Sequence, residues 1–255
     1  MRFGVCNGID KLPLVKQYGF DYIELNFTQL TLADEKEFEN YCNQIRRYGI
    51  YAESFNCLFP GNVNFNANVD YEMIRNYAEK GFYRAQKLGG KTVAFGSSRA
   101  RNIPDGYDRN LAVAQFKKVL CICSDVADKY GIQIALEPLN FSETNFINTV
   151  ADGIDICRSV NQKNVKCLVD FYHVFMNGES LDAIMNSGDM IIHTHLARPN
   201  SDRRIPTVAD AQACSEWARA LKLIGYNGRM SLEGDFGPDF ETAIKDVQPI
   251  LDLFR

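Results

Sequence analysis

Four segments of this sequence each deliver an ionisable side chain directly after an apolar run. They are Ile134-Ala135-Leu136-Glu137, Cys167-Leu168-Val169-Asp170, Ile191-Ile192-His193-Thr194-His195 and Met230-Ser231-Leu232-Glu233. Three carboxylates and one imidazole brought to one point form a hard, oxygen-rich donor set. Such a set suits Mn²⁺, Mg²⁺ or Co²⁺, with Zn²⁺ also compatible, and Mn²⁺ is the ion expected. Each residue alone has an ordinary explanation. Glu137 precedes a proline and could be a strand-end surface group. Asp170 could cap a helix or pair with an arginine. His195 could be a hydrogen-bonded interior histidine, and Glu233 half of an interior ion pair. One such residue in each successive segment points instead to a single divalent metal ion held by Glu137, Asp170, His195 and Glu233. The three histidines of the chain, His173, His193 and His195, all fall in or just after the second and third segments. His193 lies two residues before His195, so it faces the same way one layer deeper and is expected to be a packed, supporting histidine.

For four segments to converge, the rest of the chain must hold them side by side. A repeated punctuation does this. Tyr18-Gly19, Tyr48-Gly49, Leu88-Gly89, Tyr130-Gly131 and Ile224-Gly225 each end a helical pattern just before a strand pattern. Glycine relieves the left-handed geometry past a helix end, and a basic residue in the last turn suits the negative end of the helix dipole. Strand patterns lie near 2–7, 22–26, 51–57, 91–96, 132–138, 165–171, 191–197 and 229–234. The clearest helical patterns are Asp34–Tyr48, Tyr71–Leu88, Asn110–Tyr130, Ala209–Ile224 and Phe240–Phe254. Strict alternation of strand and helix means a parallel sheet. Dividing 255 residues among eight units gives about 32 each, the size of a βα repeat. The fold class expected is therefore α/β, a (β/α)8 TIM barrel with residues 1–255 as one domain, whose chemistry sits at the C-terminal ends of its strands. A doubly wound sheet would carry G-x-G-x-x-G after its first strand, and Cys6-Asn7-Gly8-Ile9-Asp10 does not match it.

Composition narrows the function. Apolar residues make up 46% and charged residues 24%, ordinary globular usage. A net charge of -4 argues against nucleic acid as a partner, because phosphate backbones select basic faces. The N-terminus lacks the apolar stretch of a signal peptide and no run approaches a spanning length, so no membrane partner is expected. The eight cysteines are scattered without a C-x-x-C pair and read as buried thiols of a cytoplasmic protein.

These residues resemble the xylose isomerase-like barrel superfamily of sugar and sugar-phosphate isomerases and epimerases, over essentially the whole chain. Within it the likeness is to ketose 3-epimerases of the D-tagatose and D-psicose type. It rests on Glu137-Pro138-Leu139-Asn140 with Glu143 and Asn148-Thr149 beyond, on Asp170 with His173 three residues later, on His193-x-His195 and on Leu232-Glu233. The resemblance implies one divalent ion on Glu137, Asp170, His195 and Glu233, with Glu143 and His173 touching a small-molecule sugar substrate. It also implies an arginine after the metal histidine. The family spacing falls on Ser201, and a two-residue insertion moves it to Arg203, which is the residue expected. Relatives of this kind are often dimers or tetramers, so a homo-oligomer is implied. Phe141 stands where the epimerases commonly have arginine, and Gly96–Pro104 is unlike them; both departures surround the substrate. The histidine-rich three-metal endonucleases of the superfamily need more than three histidines. The extra carboxylates and lysine of the two-metal xylose isomerases are not found.

The expected mechanism is enediolate chemistry on a ketose, a keto-inositol or a sugar phosphate. Glu137 and Glu233 would be the acid/base pair, and His173, Arg203 and Glu143 would orient the substrate. Epimerisation and isomerisation share that enediolate. The loops Phe59–Asn66 and Ser97–Tyr107 are candidate pocket walls, and Ser97-Ser98-Arg99 with Arg101 is a candidate phosphate cradle. Two other functions remain open: a lyase or hydrolase of a keto-sugar glycoside, with Arg198 as an extra cation, and a non-catalytic sugar-binding barrel. A glycoside substrate predicts a wide mouth, a free monosaccharide a closed one.

Overall fold

Eight short parallel strands close into a barrel in the computed structural model, which describes residues 1–66 and 68–255. The strands are β1 (Arg2–Cys6), β2 (Tyr22–Asn26), β3 (Ser54–Asn56), β4 (Thr92–Phe95), β5 (Gln133–Leu136), β6 (Val165–Asp170), β7 (Ile191–Leu196) and β8 (Arg229–Leu232). They pair in chain order and β8 closes on β1. The helices outside them are α1 (Leu12–Gln17), α2 (Phe27–Leu32), α3 (Glu35–Tyr48), α4 (Tyr71–Lys87), α5 (Ser98–Arg101) and α6 (Arg109–Lys129), followed by α7 (Val150–Val160), α8 (Phe171–Met176), α9 (Asp182–Met185), α10 (Ala211–Leu223), α11 (Phe240–Asp246) and α12 (Gln248–Phe254). The expected (β/α)8 barrel is the observed fold.

Local chemistry explains the boundaries. The five punctuating glycines, Gly19, Gly49, Gly89, Gly131 and Gly225, all take left-handed backbone, as a helix stop before a strand requires. Asp34, Asp70 and Asp108 accept backbone N–H bonds at the starts of α3, α4 and α6, and Thr149 with Asp152 forms a reciprocal cap on α7. Two expectations need correction. The third strand is much shorter than 51–57: it begins only at Ser54, and Cys57, in left-handed backbone at φ 55°, ends it. The pattern Phe240–Phe254 is two helices, broken at Val247, because Pro249 in the first turn of α12 has no N–H to continue α11.

The main core lies between barrel and helices, with Phe27, Phe55, Phe82 and Phe116 among its largest buried side chains. Inside the barrel the alternation of strand side chains stacks each functional residue on the one two positions before it. Below Glu137 and Asp170 lie Ala135 and Leu168, which pack with Ala94. Below Glu233 lies Ser231, which contacts Tyr22 through a 2.8 Å hydroxyl pair. At the opposite end of the barrel Arg2 and Arg229 both donate to the Glu53 carboxylate, Arg229 at 2.7 Å.

Tyr22 fits inside the barrel only because β1 carries Gly4 opposite it. A Cβ there would lie 2.2 Å from the Tyr22 ring. Gly4→Ala is expected to lower the unfolding free energy by about 2 kcal/mol, the cost of overpacking a full interior. Urea unfolding would read this as a shifted midpoint at unchanged slope.

Candidate metal centre at the barrel mouth

The backbone brings the four segments to one height. Asp170 and His195 are opposite each other in the β6–β7 pairing, and Glu137 and Glu233 directly follow β5 and β8. One donor atom from each of Glu137, Asp170, His195 and Glu233 lies within 4.8 Å of all the others. His195 is fully buried, and its Nδ1 faces Glu137 Oε1 at 3.1 Å and Glu233 Oε2 at 3.0 Å. The ordinary roles foreseen for Asp170 hold alongside this one. Its Oδ1 accepts from Tyr172 N at 2.8 Å, capping α8, while its Oδ2 turns to Arg203 and the cluster.

The strongest indication that a cation belongs here comes from the other side of the His195 ring. Its Nε2 meets Glu24 Oε1 at 3.0 Å, and Glu24 Oε2 meets His193 Nε2 at 2.7 Å. A proton donated from Nε2 to Glu24 leaves the Nδ1 lone pair aimed at two carboxylates. That arrangement repels unless a positive charge stands between them, so the donor set fits a divalent ion. Without one, burial opposes protonation of His195, but Glu233 and Glu24 outweigh it and raise its pKa well above the usual imidazole value. Burial works against ionised Glu233 too, yet His195 and Arg203 hold it far below the ordinary carboxylate range. Burial raises the Asp170 pKa against the pull of Arg203.

Glu24 is a residue the sequence reading passed over. Its signal was present, a carboxylate inside the apolar run Tyr22-Ile23-Glu24-Leu25, but it lies on a strand far from the four that attracted attention. Asn56 was missed as well; its Nδ2 donates to Glu233 Oε1 at 2.8 Å. Gly96 is a third. A Cβ at that position would stand 2.3 Å from Glu137 Oε2 and displace the carboxylate.

The residues foreseen around the substrate also meet at this mouth. Arg203 Nη2 donates to Asp170 Oδ2 at 2.9 Å and to Glu233 Oε2 at 2.6 Å, and Nη1 lies 3.7 Å from Glu143 Oε1. Its guanidinium rests over the Tyr172 ring. Its backbone is left-handed at φ 48°, and Asp235 N donates to its carbonyl at 2.8 Å, where a Cβ on Gly234 would collide. His173 Nδ1 accepts from Asn140 N and lies 2.9 Å from Asn140 Nδ2. The proton therefore sits on Nε2, which is buried, lies 3.4 Å from Asp170 Oδ2 and makes no hydrogen bond among the described residues. Burial pushes the His173 pKa down to about 4, so the ring is neutral at physiological pH.

Arg203, Glu143 and His173 line, with Glu137 and Glu233, a cavity of about 330 Å³, which Phe59, Gly61, Ser97, Ser98 and Arg99 close on one side. Both candidate wall loops thus contribute, and they are stitched together: Ser97 Oγ accepts from Phe59 N at 3.0 Å and Phe65 N donates to Ala100 O at 2.9 Å. Arg101 departs from expectation. It is fully buried and donates to Glu137 O at 2.9 Å and Ile147 O at 3.3 Å, so it braces the backbone under Glu137 and is no part of a phosphate cradle. Arg198 faces Asp202 and Asp210 away from the cavity.

Residues 12–250 match the family described as xylose isomerase-like TIM barrel. Over 126 residues the chain is 32% identical to a D-psicose 3-epimerase of Agrobacterium fabrum; the match takes in 47% of this chain and 43% of that protein, under half the length of the relative. A crystal structure of D-psicose 3-epimerase in the presence of D-fructose superposes with a TM-score of 0.85 at 21% identity, over 99% of this chain and 97% of that one. The IOLI protein with a bound zinc atom superposes with a TM-score of 0.79 at 21% identity, over 100% and 98% of the two chains. At these identities the structural likeness is one of fold.

Two outcomes follow from the geometry. Glu24→Gln removes one acceptor from a carboxylate that serves two imidazoles, and metal affinity should fall about 10- to 100-fold. Competition with a chromophoric chelator measures it; unchanged affinity would show that Glu24 does not orient His195. The second outcome concerns pH. His173 titrates near 4 when folded, against about 6.5 in an unfolded chain. The unfolded state takes up this proton first, so stability should fall as pH drops through that interval. Urea unfolding across pH should show a shallower fall in His173→Gln.

Proposed function

The chain belongs to the xylose isomerase-like TIM barrel family, and from that premise we propose that it is a divalent-metal-dependent epimerase or isomerase of a ketose-type sugar. One observation carries the reading. Glu137 and Glu233 rise from β5 and β8, with β6 and β7 between them, and both carboxylates approach the same imidazole nitrogen, at 3.1 and 3.0 Å, on the wall of a single cavity. That is the placement an acid/base pair needs to work on two faces of one carbon.

Glu137, Asp170, His195 and Glu233 would hold the ion, Mn²⁺ in our reading, with Mg²⁺, Co²⁺ and Zn²⁺ as alternatives. When bound it supplies Lewis-acid stabilisation of the negative charge that develops on the substrate oxygens. The protein's own residues do the rest. One glutamate takes the proton from the carbon beside the carbonyl, and the C–H electron pair moves into the enediolate. The other glutamate returns a proton to the opposite face of that carbon, which inverts it. Delivery to the neighbouring carbon would isomerise instead, with the same atoms conserved. His173 Nε2–H, on a neutral ring beside Asp170 Oδ2 but not hydrogen-bonded among the described residues, donates to a substrate oxygen. Arg203 and Glu143 fix the sugar's orientation from the rim, and the Tyr172 ring limits where the guanidinium can go.

The test is proton exchange. In D₂O with Mg²⁺, deuterium should enter a keto-sugar next to its carbonyl, read by NMR. Glu233→Gln should slow this by about 10²-fold or more, the usual worth of a positioned proton carrier, and chelator should abolish it reversibly. Exchange that survives both treatments would sink the assignment.

A further inference from the structure

Glu233 and Asn56 form a wall with a cavity on each side. One side is the chamber already described. The other is a second chamber of about 270 Å³ above β1 and β2, bounded by Asn7, Asn26, Gln29 and Tyr41. Each volume alone lies near the floor of the usual range for small-molecule pockets, and the two joined lie well inside it.

The two chambers differ in chemistry. The first holds the ionic groups, including Arg203 and the exposed Arg99. No lysine, arginine or histidine lines the second among the described residues, and its two charged groups, Glu24 and Glu233, are both carboxylates. A phosphate or carboxylate group would be repelled there. Hydrogen-bonding capacity, by contrast, is in surplus. Asn7 Oδ1 accepts from Gly8 N and Asn26 Oδ1 accepts from Gln29 N, which leaves both amide NH₂ groups without partners among the described residues. Asn56 Oδ1 is a buried acceptor with no hydrogen bond. The Gln29 side chain is exposed and unbonded among the described residues, and Tyr41 adds a hydroxyl. Neutral groups offering both donors and acceptors on a concave wall recognise hydroxyls.

We infer that the second chamber is a subsite for a neutral polyhydroxylated unit, so that the substrate is a keto-sugar glycoside carrying a second sugar, with the reacting carbon beside Glu233 at the junction. This rests on the epimerase reading above and names its substrate class. No bond to the second sugar changes; only the proton next to the carbonyl leaves and returns. The wide, two-chambered mouth is the shape a glycoside requires and a free monosaccharide does not fill.

The experiment is deuterium exchange with four probes in D₂O and Mg²⁺: D-fructose, D-fructose 6-phosphate, methyl 3-keto-glucopyranoside and a 3-keto-cellobiose whose second ring is intact glucose. The disaccharide should exchange at least about tenfold faster in kcat/KM than the methyl glycoside, the worth of one or two hydrogen bonds to the added ring. Gln29→Trp fills the chamber from its exposed edge and should lower that ratio about tenfold. Asn7→Leu provides a second variant on another element with the same expected direction. Equal rates for the two glycosides, a ratio unmoved in both variants, or fastest exchange with either fructose probe would overturn the inference and leave the epimerase reading standing. No exchange with any probe would overturn the epimerase reading and this inference with it.

Discussion

His195 is buried between opposed sets of carboxylates, and most of what surrounds the mouth answers to that fact. Glu24 takes one ring nitrogen from below, while Glu137 and Glu233 crowd the other from above. Charges out of water are tolerated only when paired and hydrogen-bonded. Glu24 is accordingly saturated by His193, His195 and Ser231, and the burial that would favour its neutral form is outweighed by the two imidazoles. At the rim three carboxylates, Glu137, Asp170 and Glu233, face one guanidinium, Arg203, beside the Asn56 amide and the shared His195 ring. The barrel interior is therefore balanced in its lower layer and short of positive charge at its rim. A rim in that condition attracts a cation.

The same constraint explains where the backbone is strained. Cys57, Ser97 and Arg203 all take left-handed conformations without being glycine, and all three line the cavity. Such positions each cost on the order of 1–3 kcal/mol and persist where the surroundings enforce them. Here the enforcing contacts are visible. Ser97 Oγ bonds the Phe59 backbone, Arg203 is clamped to Asp235 beside Gly234, and Arg101 spends a buried guanidinium on the carbonyls of Glu137 and Ile147. Loops after five different strands, β3, β4, β5, β7 and β8, are tied to one another in this way.

Division of labour follows from how charge is distributed. Ionic groups concentrate above β4 to β8, and neutral carboxamides concentrate above β1 to β3. Glu233 and Asn56 stand at the boundary. A barrel lets the two sides vary separately, because each loop is anchored to its own strand.

Much of this was written locally in the chain. Strand period, helix punctuation by Tyr-Gly or Leu-Gly, and ionisable residues closing apolar runs are all short-range signals, so the barrel, its eight strands and the set Glu137, Asp170, His195 and Glu233 could be read from sequence. The helix break at Val247 was legible too, in Pro249, though the apolar period masked it. What sequence did not reveal depends on contacts between distant segments. Glu24 is 171 residues from His195, and Asn56 is 177 from Glu233. Nothing local marks Glu24 as facing a histidine, Arg101 as turned inward rather than toward substrate, or Asn7 and Asn26 as sharing a chamber with Glu233. Those pairings arise when β8 closes on β1 and strands far apart in the chain become neighbours across one ring. Local pattern determined which side chains would point into the barrel; only closure decided which of them would meet.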